Sequence, residues 1–586
     1  MSEPFVFDSR YPLFKTPFGA VTCGQTVTFR CRPLAAEGFT HCALVLHAEF
    51  SGISGETELA LAGPAEEDGR LSFAGEVSAP DAPDLVWYHF RFWREDGSGC
   101  ELDKTGYRSD GQVDPWQLTV YQQTYTPAWF GAGVTYQIFP DRFHRLSVPD
   151  PTGMVGNRWV HEDWADAPVW QPDPDGEVRN RDFFGGSLAG ITAKLDDLAE
   201  LGITTLYLNP IFEAASNHRY NTADYSRVDP MLGTEEDLRT LCAQARQRGI
   251  RVMLDGVFNH TGSQSRYFNA DGFYPTLGAA QSQESPYYNW FSFRHWLRAG
   301  ISGWRLDVAD ELPDWFIEKL RAAAVETDPD AFILGEVWED ASTKVAYDQR
   351  RKYLLGHELH GVMNYPFRTA LLDYLRGGDA AVFAEAMETL RENYPPDAFY
   401  SAMNFLSTHD TPRILTVLGA HKMPKDREKR AVYRLSPRER ETGLARVELA
   451  ALILFTFPGS PTVYYGDEAG MEGWEDPFNR GTYPWGREDK TLKARFALLG
   501  LQRNQRPALQ KGTIRYRFAE GPLLAYERKY GREVCLTVVN ADCKSHHLTL
   551  PWSRDRAEDL LSGQVFETVD GQLSLTLPPY GGLLLS

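Results

Sequence analysis

From Val134 to Tyr465 the chain alternates short apolar runs with amphipathic stretches, and that alternation leaves few folds open. The strand-like runs are Val134–Phe139, Thr204–Asn209, Arg251–Asn259, Gly303–Ala309, Ala331–Trp338, Gly361–Tyr365, Ser401–His409 and Ser460–Tyr465. Helical patterns such as Ser187–Leu201 and Thr234–Arg248 lie between them. Eight such units predict an α/β fold, a parallel (β/α)8 barrel of the TIM type, whose chemistry gathers at the C-terminal ends of the strands.

Four of these strands end on polar groups. Gly303-Trp-Arg-Leu-Asp-Val-Ala-Asp-Glu311 carries Arg305 and Asp307, and Gly335-Glu-Val-Trp338 carries Glu336. Arg251-Val-Met-Leu-Asp-Gly-Val-Phe-Asn-His260 carries Asp255, Asn259 and His260, while Ser401-Ala-Met-Asn-Phe-Leu-Ser-Thr-His-Asp410 ends in His409 and Asp410. A core strand does not finish on an unpaired carboxylate without a use for it, because burying one is costly. Glycoside cleavage needs two carboxylates flanking a bond, so the pattern points to sugar chemistry. Any one acid alone reads equally well as an ion pair or helix cap, and Asp310 and Glu311, opening the turn into Pro313, are assigned that plainer role.

Taken together, the four strings resemble the signature regions of the α-amylase family of glycoside hydrolases, in the family's order. The extra N-terminal region, Val134-Thr-Tyr-Gln-Ile-Phe-Pro-Asp-Arg-Phe143 and His218-Arg-Tyr-Asn-Thr-Ala-Asp-Tyr225 are most similar to the neopullulanase, cyclomaltodextrinase and amylopullulanase branch. The resemblance implies a retaining hydrolase of α-1,4-glucosidic bonds in maltooligosaccharides, cyclodextrins or pullulan. Asp307 is then the nucleophile, Glu336 the acid/base and Asp410 the third acid, which grips sugar hydroxyls. Arg305, His260, His409 and Asp255 fall where the family contacts or supports the sugar. Tyr220 resembles the tyrosine that stacks on a sugar ring, with packing as its alternative. Asp476 and Arg480 resemble groups on the loop after strand eight, with a surface ion pair as the alternative. Trp338 is expected either to stack on the leaving-group side or to cap the core. A transglycosylase shares every acid, and a barrel that only binds carbohydrate is the reading from another class.

The flanks have a different texture. Thr26–Cys31, Ala43–Ala48 and Leu85–Trp93 read as strands between turn signals, so residues 1–125 are expected to form an N-terminal β-sandwich. The barrel then occupies 126–510, with a short excursion after strand three at about 260–293, and a C-terminal β-domain occupies 511–586. Near Asn289–Phe293 the chain runs into Arg294–Gly300, about two helical turns, where a parallel crossover usually takes a dozen residues or more. Either the chain is shortened there or a segment is missing, the reading favoured here.

The 60 Lys plus Arg against 80 Asp plus Glu give a net charge of −20, which disfavours nucleic acid and anionic membranes as partners and suits a neutral sugar. Met1–Asp8 shows no signal-peptide pattern, and no apolar run is long enough to span a bilayer. Seven scattered cysteines form no zinc-type pairs and read as reduced thiols, so a cytoplasmic location is expected, with one N-terminal disulfide as the alternative. Calcium is common in the family, but the Asn- and Asp-rich pattern of related enzymes is absent after Phe143. Asp173-Pro-Asp-Gly-Glu177 reads as a turn, so no metal is predicted in the chemistry. The branch also implies a homodimer.

Overall fold

The computed structural model describes residues 5–63, 65–262, 265–267, 269, 275, 277 and 294–586. Most of the expected excursion after strand three, including the junction at Asn289–Phe293, lies outside the described residues. The chain divides into two compact units. One comprises residues 1–126, 340–360 and 387–399; the other comprises 127–339, 361–386 and 400–586.

The first unit is built on a ten-stranded sheet that is almost entirely antiparallel. Strand Ser54–Leu61 pairs with His41–Ala48 over its first six residues and with Phe73–Ser78 over its last two, so it turns the sheet from one layer into the next. The core between the layers is aromatic, with Phe7, Phe29, Tyr88 and Phe90 buried and Trp116 stacked on Tyr88 at 5.8 Å. Two later stretches complete this unit. Ser342 Oγ accepts from Gln117 Nε2 at 3.0 Å, and Arg350 pairs with Glu49 at 2.9 Å.

The second unit contains the barrel. Its strands are β1 (Thr135–Ile138), β2 (Thr205–Leu208), β3 (Arg251–Gly256), β4 (Gly303–Leu306), β5 (Phe332–Gly335), β6 (Gly361–Val362), β7 (Met403–Phe405) and β8 (Ser460–Tyr464). They pair in parallel in the order β6-β5-β4-β3-β2-β1-β8-β7, and a parallel bridge from Met363 to Met403 joins the two ends. The strands are shorter than the apolar runs that announce them. β6 stops at Val362 because Asn364 caps a helix by accepting from Phe367 N at 3.1 Å, so Tyr365 opens that helix instead of ending a strand.

Alternation along each strand sorts the side chains. Tyr207, Met253, Phe332, Leu334, Met403 and Phe405 fill the barrel, and Phe130 stacks on Phe332 at 4.4 Å. Residues further along on the same face then reach the rim: Asn209 beyond Tyr207, Asp255 beyond Met253, and Glu336 beyond Leu334. A smaller β-domain follows the barrel within this unit. Strands Thr513–Glu520, Leu523–Tyr530, Glu533–Asn540 and Gly582–Leu585 form one sheet, and His546–Pro551 pairs with Gln572–Leu577 over a core that includes Trp552.

Candidate active site

One guanidinium organises the rim. Arg305 on β4 is fully buried and lies directly across from Asp255 on β3 in the strand register. Its Nη1 sits 2.8 Å from Asp255 Oδ1 and 2.7 Å from Asp307 Oδ1, while its Nη2 lies 2.9 Å from Glu336 Oε2. Three carboxylates therefore share one cation. Burial opposes the charge of Arg305, but Asp255 and Glu336 outweigh it and hold the guanidinium well above its ordinary value. Burial also pushes the Asp307 carboxyl up; Arg305 opposes the rise, Asp255 and Glu336 add to it, and the result is about 8.

The turn after β4 is strained to serve this cluster. Val308 has φ 39° and ψ 57°, a left-handed conformation that is costly for a β-branched residue. The strain aims its backbone N–H at Glu336 Oε2, 2.8 Å away. The other oxygen, Oε1, takes longer contacts from Trp338 Nε1 at 3.2 Å and from the Tyr365 hydroxyl at 3.3 Å. Trp338 lies nearly flat on Tyr365, with ring centroids 4.3 Å apart and planes 14° from parallel. It is 51% exposed, so it does not cap the core.

A second cluster adjoins the first. His409 is buried, with Nε2 3.0 Å from Asp410 Oδ2. Arg480 places Nη2 3.4 Å from Asp410 Oδ1, donates from Nε to the His409 carbonyl at 2.9 Å, and pairs through Nη1 with Asp476 at 3.0 Å. Burial pushes the Asp410 carboxyl up, but His409, then Arg480 and Arg305, hold it well below the usual carboxylate range. Tyr220 joins the clusters: its ring is 6° from parallel with that of His409, and its hydroxyl lies 2.8 Å from Asp255 Oδ2 and 2.5 Å from His409 Nε2. His218, stacked on Tyr220, is kept neutral by burial first and then by Arg480 and His409, its pKa lowered to about 3.

The structure thus connects Asp255, Arg305, Asp307, Glu336, Trp338, Tyr220, His409, Asp410, Arg480 and Asp476. It leaves His260 apart: that side chain is exposed at the end of β3, and its Nδ1 contacts Asn259 Oδ1 at 3.3 Å. Tyr207, Gln137, Asn209, His218 and Tyr365 belong to the network, and the sequence reading missed their roles there. The periodicity carried a signal for Tyr207 and Asn209, since both lie on one face of a strand that points at the rim.

Among the described residues no group of three or more His, Cys, Asp or Glu side chains is placed to hold a metal ion. Asp173, in the Asp173-Pro-Asp-Gly-Glu177 turn, pairs with Arg179 at 2.7 Å, and nearby Asp166 lies 3.0 Å from His161. All seven cysteines are free. No helix among the described residues is long and apolar enough to cross a membrane.

A family model described as Alpha amylase, catalytic domain matches residues 137–295 and 287–511, and one described as Maltogenic Amylase, C-terminal domain matches 519–584. The chain is 32% identical to an amylopullulanase of Thermoanaerobacterium saccharolyticum over 99% of its own length and 52% of that protein's. It therefore spans about half of that relative. It is 31% identical to neopullulanase 2 of Thermoactinomyces vulgaris, with 95% of each chain covered. A solved cyclomaltodextrinase superposes with a TM-score of 0.67 at 26% identity over 98% of both chains.

Proposed function

The chain belongs to the α-amylase family, and from that premise we propose that it hydrolyses α-1,4-glucosidic bonds in maltooligosaccharides, cyclodextrins or pullulan with retention of configuration. The observation that carries this reading is the grip of Arg305 on Asp307 and Glu336 together. Carboxylates held by two nitrogens of one guanidinium sit close, which suits the roughly 5 Å spacing of retaining enzymes better than the roughly 6.5–9.5 Å of inverting ones.

Arg305 occupies Asp307 Oδ1, which leaves Oδ2 to attack the anomeric carbon. As that C–O bond forms, the glycosidic bond breaks and its electron pair goes to the leaving oxygen, which takes a proton from Glu336. Oε2 of Glu336 is held by the Val308 N–H at 2.8 Å and the Arg305 charge at 2.9 Å, whereas the contacts to Oε1 are longer, so the transferable proton is assigned to Oε1. In the second step Glu336 removes a proton from water, the water oxygen bonds to the anomeric carbon, and the ester to Asp307 breaks. Asp410, kept ionised by His409 and Arg480, binds hydroxyls of the sugar before the scissile bond. Tyr220 offers its ring to the apolar face of that sugar, and Trp338 with Tyr365 lines the leaving-group side.

The substrate classes come from the names of the relatives, amylopullulanase, neopullulanase and cyclomaltodextrinase. The free thiols suit a reducing cytoplasm. A homodimer is part of the proposal, and light scattering of the whole chain at several concentrations tests it. The reaction is tested by chromatography of products from maltotriose, cyclodextrin, pullulan and starch, with NMR of the first product. An α-anomer is expected. A β-anomer overturns retention, and no cleavage of any of the four overturns the function.

A further inference from the structure

The barrel interior holds a run of hydrogen bonds that the chemistry above does not use, and its direction is set at one end. The carboxylate of Asp255, paired with Arg305 at 2.8 Å, accepts hydrogen bonds and cannot donate them. The hydroxyls of Tyr207 and Tyr220, 2.7 and 2.8 Å from its Oδ2, therefore both donate to it. Burial, then the charge of Asp255, holds the Tyr220 phenol far above its ordinary value, so it keeps that hydrogen. With its hydrogen committed, the Tyr220 oxygen only accepts. Asn209, 2.9 Å away, must then present Nδ2 to it and turn Oδ1 the other way. The group facing that Oδ1 at 3.1 Å is Gln137, which must answer with Nε2. The second hydrogen on the same nitrogen faces His409 Nδ1 at 2.9 Å.

We propose that Gln137 is a positioning residue: together with Asn209 it transmits the polarity of Asp255 to His409 and locks that imidazole with its proton on Nε2 and a lone pair on Nδ1. Nε2 lies 2.5 Å from the Tyr220 oxygen and 3.0 Å from Asp410 Oδ2, so the lock presents one donor to both acceptors. One cost is visible. Gln137 is fully buried, and its Oε1 has no hydrogen-bond partner among the described residues. An unsatisfied buried acceptor costs about 1–3 kcal/mol. The amide gives up its oxygen so that both its hydrogens are engaged. The importance of this lock for turnover rests on the proposed function, but the position of the proton does not.

A neutron crystal structure of the whole deuterated chain reads that position directly. Deuterium on His409 Nε2 and none on Nδ1 is expected; deuterium on Nδ1 overturns the assignment. In Gln137→Glu the amide donor becomes an acceptor of the same shape, so deuterium is expected on Nδ1, with kcat/KM lowered roughly 10–100-fold, the range seen for partners that orient metal-bound histidines. An Nδ1 still bare in that variant also overturns the proposal. If the variant does not fold, the parent map alone decides. A parent with the expected proton that cleaves no glucan would sink the proposed function and leave this assignment standing.

Discussion

Two arginines in the barrel unit are buried to the same degree and do opposite work. Arg305 stands at the C-terminal rim among Asp255, Asp307 and Glu336. Among the described residues the guanidinium of Arg503, on helix Lys490–Gln505, meets only backbone carbonyls: those of Gly131, Ala132, Phe455, Phe457 and Gly459. Gly131 leads into β1 and Gly459 into β8, so Arg503 ties together the N-terminal ends of the two strands that pair there. Burial opposes both charges. At Arg305 carboxylates outweigh it; at Arg503 no carboxylate answers, Arg528 adds a like charge, and the guanidinium falls well below its ordinary value. The rim concentrates anions on one cation, whereas the base spreads one cation over five dipoles. The first arrangement is crowded and reactive, the second saturated and inert.

The sharpest way to break this contrast is to remove an anion from the rim. Asp307→Asn should lower turnover roughly 10⁴-fold or more, as loss of a nucleophile does elsewhere, while calorimetry with an oligosaccharide shows binding retained. The same change should raise the melting temperature near neutral pH, because Arg305 keeps Asp255 and Glu336 and one crowded carboxylate is gone. A variant that turns over like the parent ends the assignment. Arg503→Met should do the reverse. It leaves five carbonyls without their donor, which by the cost of unsatisfied buried acceptors amounts to at least about 3 kcal/mol. The urea midpoint should fall, while kcat of the folded protein stays unchanged. A kcat that fell with intact stability would show that the base also serves the chemistry.

The contrast also marks what the sequence made legible. Asp307, Glu336, Asp410 and Arg305 stand out because a carboxylate or guanidinium at the end of an apolar strand has no bland purpose there. Eight strands were countable for the same reason, since each apolar run had to be buried. Arg503 carried no such mark: it sits in a helix among other polar residues, and its partners are backbone atoms that any sequence supplies. The place of Gln137 was hidden in the same way, because a glutamine on a strand announces no partner. His260, which its motif places at the sugar, is exposed beside Asn259, with Nδ1 3.3 Å from Asn259 Oδ1. Stretches 340–360 and 387–399 belong with the N-terminal unit, which depends on contacts far apart in sequence that local patterns do not encode.

Proton inventory separates the two arginine sites further. Burial, with Asp255 and Glu336 beside it, pushes the Asp307 carboxyl up to about 8, so near neutral pH this carboxyl holds a proton that it must lose before it can attack. kcat/KM should therefore rise as pH rises towards about 8 and Asp307 ionises. The sign for stability follows from the raised value. An unfolded chain releases this proton near pH 3.9, but the folded chain holds it to about 8. The contribution of Asp307 is thus most favourable below about pH 4 and declines as pH rises towards 8. Urea midpoints of parent and Asp307→Asn should diverge across that window, the variant being relatively more stable at its upper end. Parallel curves would mean that Asp307 is not the titrating group. No such divergence is expected for Arg503→Met, whose partners do not titrate.

The smallest effect expected at the rim concerns Trp338. Its Nε1 donates to Glu336 Oε1 at 3.2 Å, while its ring lies on Tyr365 with much of its surface open. Trp338→Phe keeps a flat ring on Tyr365 and removes only the donor. A single hydrogen bond to a charged group is worth about 1.5–3 kcal/mol at good geometry, and this one is long and half open to water, so a loss of only a few-fold in kcat is expected. Stability should not change, because nothing buried is left unpaired. A glucoside with an activated leaving group needs no proton from Glu336, so the few-fold loss should vanish on that substrate. If the loss were equal on both substrates, Trp338 would be acting through contact with the sugar and not through Glu336. The comparison then extends to a third kind of group, neither crowded like Arg305 nor saturated like Arg503, whose single polar contact adjusts the proton donor without holding the fold.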